Sequence, residues 1–189
     1  MDFFKSIFTE AGKVLNDFIS DPGNLDLLEK AGIKIVESLK AGNKIITCGN
    51  GGSMSDAMHM AEELTGRFRD DRPPMPAIAI SDPGFLTCTA NDYGYEQVFS
   101  RFVQGVGNAG DVLVAISTSG NSPNIVRAVK TAREKQIVTI GLSGAGGGEM
   151  AEYCNFIIRV PYSEHSDRIQ EMHIKIIHSL IQYIEEKMI

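Results

Sequence analysis

Ile45-Ile46-Thr47-Cys48-Gly49-Asn50-Gly51-Gly52-Ser53-Met54-Ser55-Asp56-Ala57-Met58-His59-Met60-Ala61-Glu62-Glu63-Leu64-Thr65-Gly66-Arg67 reads as a buried strand, a glycine turn and then a helix. Such a turn brings bare backbone N–H groups to the start of the helix, where partial positive charge gathers and anions bind. His59 and Glu63 sit one turn apart on that helix. An i, i+4 pair shares a face, so an imidazole and a carboxylate can address one small ligand. The turn fits neither common nucleotide motif. Its sixth position is Met54, which breaks G-x-G-x-x-G, and no G-x-x-x-x-G-K-[ST] occurs anywhere. By itself it suits an ordinary tight turn equally well.

Around this stretch the chain alternates short apolar runs with helical patterns. Strands are expected at Ile45–Cys48, Ala77–Ser81, Asp111–Ser117, Ile137–Leu142 and Phe156–Val160. Between them the pattern predicts Asp82-Pro83-Gly84 and then a short helical stretch to Ala90, a turn at Asn91-Asp92-Tyr93-Gly94, and helices over Tyr95–Val106 and Asn124–Lys135. A last helix is expected from about Glu164 to Lys187. Alternation of this kind implies an α/β fold, a parallel sheet covered by helices on both faces. Such sheets bind ligands beyond the carboxyl ends of their strands, where the Gly-, Ser- and Thr-rich loops of this chain fall. Two helices, at 2–19 and 25–40, precede the first strand, separated by Asp21-Pro22-Gly23-Asn24 and stopped at Ala41-Gly42-Asn43. They stand outside the βα repeat, and the phenylalanines of the first make the 1–42 pair a candidate subunit interface, although packing on their own sheet is equally cheap.

The 189 residues suit one domain, 1–189, with a sizeable core. A net charge of −6 argues against nucleic acid as the main partner. Any phosphate must then be held locally, by backbone and hydroxyl groups. Cys48, Cys88 and Cys154 are far apart and odd in number, which fits reduced thiols rather than a disulfide framework. No apolar run nears the ~20 residues of a membrane span, and Met1-Asp2-Phe3-Phe4-Lys5 lacks the pattern of a signal peptide. The expected location is the cytoplasm, away from membranes.

Ser117-Thr118-Ser119-Gly120-Asn121-Ser122 crowds four hydroxyls between a hydrophobic strand and a helix start. Capping that helix needs one hydroxyl or amide, from Ser122 or Asn124. The surplus favours a phosphate seat built without lysine. The last helix is apolar on nearly every face, yet carries Gln170, Glu171, His173, Lys175 and His178. Buried polar groups need partners, so one face of it should line a polar cavity or an interface. An imidazole with a carboxylate suits two jobs, proton transfer in an enolisation or, with a second histidine, a zinc site with an open position.

Taken together, Cys48-Gly49-Asn50-Gly51-Gly52-Ser53, Asp56-Ala57-Met58-His59, Ala61 to Arg67, Ile116 to Ser122, Arg168 to His173 and Ile177-His178 closely resemble the bacterial phosphoheptose isomerase family. The blocks span nearly the whole chain in the family's order. The resemblance implies the sugar-isomerase (SIS) fold, a flavodoxin-like three-layer αβα sandwich around a five-stranded parallel sheet. It implies isomerisation of sedoheptulose 7-phosphate to D-glycero-D-manno-heptose 7-phosphate for lipopolysaccharide heptose. It also implies a homotetramer with active sites at subunit contacts, and zinc. By position, Asn50, Gly51 and Gly52 would contact the sugar phosphate. Ser53, Ser117, Thr118, Ser119 and Ser122 would seat its phosphate, and Asn91, Asp92 and Gln170 would reach the substrate. His59, Glu63, Gln170 and His178 would be metal ligands, and Glu63 would move a proton through an enediol with His178 as acid–base counterpart.

Two rivals share the fold. One is a binding protein that associates with the bacterial replication initiator and lacks the acid–base residues; the presence of Glu63 and His178 here favours the enzyme. The other is an isomerase for a different sugar phosphate, against which the long shared blocks argue. A nucleotide-binding module keeps only the fold in its support.

Overall fold

A computed structural model describes residues 2–162 and 164–188. The chain begins with helices α1 (Asp2–Ser20) and α2 (Pro22–Lys40) and then enters a βα series. The strands are β1 (Ile45–Gly49), β2 (Ala77–Ala79), β3 (Val112–Ile116), β4 (Val138–Ser143) and β5 (Phe156–Arg159). Between and after them come α3 (Gly52–Thr65), α4 (Pro83–Tyr93), α5 (Val98–Val106), α6 (Pro123–Glu134) and α7 (Ser166–Met188). Single 3-10 turns lie at Tyr95–Gln97 and Glu149–Glu152.

The local chemistry explains the helix starts. Asp21 and Asp82 each turn a carboxylate onto the first turn, accepting from the Gly23 and Phe85 N–H groups at 2.9 and 2.7 Å. A proline follows each cap, where a missing N–H costs nothing. This corrects two expectations. The break between the first helices shrinks to Asp21, because Pro22 opens α2 rather than ending α1. The turn expected at 91–94 also shrinks, because α4 runs through Tyr93 and stops at Gly94, whose φ of 88° favours glycine.

The sheet is parallel throughout, in the order β2-β1-β3-β4-β5. β1 and β3 align from Ile45 opposite Val112 to Gly49 opposite Ile116. Both strands are buried along their whole length. On one face, Val112, Val114, Ile116, Ile140 and Leu142 pack with Ile35 of α2, Met60 and Leu64 of α3, and Ile169 to Ile184 of α7. On the other, Ile46, Cys48, Leu113 and Ala115 pack with Phe99 and Val103 of α5 and Ile125 and Val129 of α6. Edge strand β2 is shorter than expected, although the Ile80 N–H still reaches the Thr47 carbonyl at 2.9 Å. With this strand order the chain leaves β1 and β3 in opposite directions across the sheet, opening a crevice above their carboxyl ends. The three cysteines are unpaired. No described helix is long and apolar enough to cross a membrane.

Candidate active site

The loops after β1 and β3 meet in that crevice. Gly51, with a φ of 55°, stands at the cap of α3, and no side chain caps the helix. Nor does Ser122 cap α6. Its hydroxyl instead lies 3.2 Å from that of Ser117, which also accepts from the Gly120 N–H at 3.2 Å. The Ser119 hydroxyl accepts from the Asn121 N–H at 3.1 Å. Neither N-cap residue bonds its own helix, although Asn124 Oδ1 accepts from the Ile125 N–H at 3.0 Å in the first turn of α6, and both helix starts lie beside a cluster of hydroxyls. Ser53 and Ser117 are buried, Thr118 and Ser122 half-buried and Ser119 exposed. Gly120 is required here, since its φ is +67° and a Cβ would lie 1.9 Å from the Gly147 carbonyl oxygen. The loop after β4 is therefore packed onto the loop after β3.

Asn50 joins the two loops. It exchanges side-chain bonds with Asn124, both at 2.9 Å, and its Oδ1 also accepts from the Tyr95 hydroxyl at 2.9 Å. Asn124 was legible only as a capping residue, and nothing in the local sequence marked Tyr95. Asn91 and Asp92 lie exposed at the end of α4, bonded to each other at 2.9 Å. Among the described residues no hydrogen bond joins them to the serines or the histidines.

α3 and α7 lie side by side and run the same way. Gln170 packs at the start of α3, where a Cβ on Gly52 would fall 2.8 Å from its amide. Two turns on, His178 meets His59, with their Nε2 atoms 3.2 Å apart. Glu63 Oε1 lies 3.2 Å from the same His59 Nε2. Ligand atoms of His59, Glu63 and His178 all lie within 4.8 Å of one another, and all three residues are half-buried. Phe68 packs against the His178 ring, with centroids 5.5 Å apart. Burial and the neighbouring His59 lower the His178 pKa, against the pull of Glu63. With the ring protons on Nδ1, both Nε2 lone pairs would aim at the common point. The 3.2 Å spacings match the roughly 3.3 Å that tetrahedral bonds of about 2.0–2.1 Å impose, so this donor set fits a divalent cation. Gln170 is set toward the glycine turn instead.

A model of the SIS domain matches residues 8–144. The phosphoheptose isomerase of Proteus mirabilis is 54% identical over 187 residues, 99% of this chain and 97% of the relative. The solved phosphoheptose isomerase of Neisseria gonorrhoeae is 36% identical, with a TM-score of 0.91 over 98% of both chains. That of Francisella tularensis is 34% identical at the same TM-score, over 98% of this chain and 97% of the other. This chain belongs to the phosphoheptose isomerase family.

In this member of the phosphoheptose isomerase family, two groups with buried polar atoms near the helix pair had no role assigned from sequence. Asp56 lies one turn before His59 with Oδ2 buried and unpartnered among the described residues. Burial raises its pKa, while His59 opposes the shift. Arg72, in the charged, proline-ended connector after α3, is buried against α3 and α7. A charge in a proline-ended linker looks solvated until the linker is seen to fold back.

Proposed function

We propose that this chain interconverts sedoheptulose 7-phosphate and D-glycero-D-manno-heptose 7-phosphate, an aldose–ketose isomerisation in heptose synthesis. The observation that carries the reading is the meeting of Glu63, His59 and His178 from two helices, in a chain 54% identical to a phosphoheptose isomerase. The substrate's phosphate binds at the starts of α3 and α6, among the hydroxyls of Ser53, Ser117, Thr118, Ser119 and Ser122. Asn50, Gly51 and Gly52 border it, Gln170 closes over the glycine turn, and Asn91 and Asp92 meet the sugar. Glu63 removes the proton from C1 of the ketose, leaving an enediol, and returns it to C2. His178 carries the accompanying proton between the two oxygens.

His59, Glu63 and His178 would hold zinc, while Gln170, the fourth ligand expected from the resemblance, is turned to the glycine loop. When bound there, zinc supplies a Lewis acid for the carbonyl oxygen. The assembly is a homotetramer with active sites at subunit contacts. Support for it comes from α1, where Phe3, Phe4 and Phe8 are 71%, 68% and 75% exposed. Three unpaired thiols support a cytoplasmic location.

The test is NMR of sedoheptulose 7-phosphate with the protein, before and after chelation. Aldose signals should grow with the untreated protein and slow after chelation. Glu63→Gln should lower kcat by ~10²–10⁴-fold with KM little changed. An isomerisation rate untouched by Glu63→Gln removes the carboxylate from the chemistry.

A further inference from the structure

Arg72 is a charged side chain with 1% of its surface exposed, and its partner Glu185 has 7%. Arg72 Nε donates to Glu185 Oε1 at 2.9 Å, near the end of α7. Its Nη2 donates to the Glu63 carbonyl at 2.7 Å, and its Nη1 to the Leu64 carbonyl at 2.8 Å and the Gly66 carbonyl at 3.2 Å. Helix ends leave their last carbonyls unpaired, and one guanidinium here collects those of α3. One carbonyl it holds belongs to Glu63 itself.

Burying such a pair is a poor way to gain stability, because well-packed apolar residues of similar volume often do as well. An exposed lysine could cap the same carbonyls at less cost. What burial adds is a fixed distance. Beside their apolar packing, α3 and α7 are linked by polar side chains at three successive levels: Gly52 with Gln170, His59 with His178, and Glu63 to Gly66 with Glu185 through Arg72. His178 and Glu185 lie two turns apart on one helix, so the third contact bears directly on the second. We propose that Arg72, anchored by Glu185, is a positioning residue that sets Glu63 against His178 for proton transfer. The inference rests on the acid–base reading of that pair. It extends the reading to a residue that touches no substrate.

Displacing a reacting group by about 1 Å can cost ~10²-fold in rate. The phosphate seat lies at the other end of α3, so substrate binding should be spared. Arg72→Lys keeps the charge opposite Glu185 but loses the fork. Its kcat should fall roughly 10- to 100-fold with KM within about 2-fold of the parent. The paired replacement Arg72→Met with Glu185→Leu removes both charges at once, so it should fold with a Tm near the parent's and still show the low kcat. A folded form of either variant with parental kcat overturns the proposal. So does a KM that rises in step with the loss of kcat. Glu63→Gln is assayed alongside. If it is inactive while folded Arg72→Lys is unimpaired, the positioning role alone falls. If Glu63→Gln is fully active, the acid–base reading falls and the positioning role with it.

Discussion

His173 places both ring nitrogens in the core of α7's packing, where neither makes a well-formed hydrogen bond among the described residues and the Ser143 backbone is a weak neighbour. Burial pushes its pKa down to about 4, with the Ser143 backbone opposing only in part. The residue is neutral in the folded protein and takes up a proton near pH 6.5 when unfolded. The unfolded state therefore binds more protons between those values, and stability falls as pH drops from about 6.5 toward 4. Urea titrations at pH 7 and pH 5 should show this loss, and His173→Met should reduce it. An equal loss in both proteins would place the acid sensitivity elsewhere. From sequence, His173 and His178 looked alike as polar residues on an apolar helix. Only the tertiary packing sends one into the core and the other to His59.

Helix starts were legible only in part: a capping aspartate followed by proline is a local signal, yet Asp21-Pro22 read as a break between helices. Helix ends were less so: α4 outran its expected limit until Gly94 stopped it. The glycines divide in the same way. Gly120 combines a positive φ with backbone 1.9 Å from where its Cβ would be. Gly120→Ala should cost at least ~1–3 kcal/mol, read as a lower midpoint in urea. A Cβ on Gly52 meets only the end of a flexible glutamine. Gly52→Ala should keep the stability within ~0.5 kcal/mol of the parent while raising KM, since Gln170 must swing away from the glycine turn. A shared stability loss, with KM unchanged, would mean that both glycines serve folding alone.

For the whole molecule, the large exposed apolar surface of α1 sits outside the sheet's own packing: Phe18 and Val14 are buried, while Phe3, Phe4 and Phe8 face outward. The half-open histidine pair also lacks a roof among the described residues of one chain, His59 having 40% of its side chain exposed. A neighbouring subunit would cover both. Light scattering should give the mass of four chains, and Phe4→Glu with Phe8→Glu should lower it by opening the contact. A parent protein that scatters as a monomer would leave these phenylalanines without that role.

By itself the sequence determined the α/β alternation, the parallel sheet, the glycine turn, the serine loop and the candidacy of His59, Glu63 and His178 for one site. Each rests on local periodicity, on capping or on the long blocks shared with a family, and all of these are written in order along the chain. The tertiary structure alone decided that α3 and α7 run together, so that residues 119 positions apart meet at 3.2 Å. It also decided that Asn50 bridges to Asn124 and Tyr95, that Gln170 turns to the glycine loop, and that Arg72 is buried. Such pairings depend on how elements dock, and docking is set by the summed fit of many apolar contacts rather than by any motif.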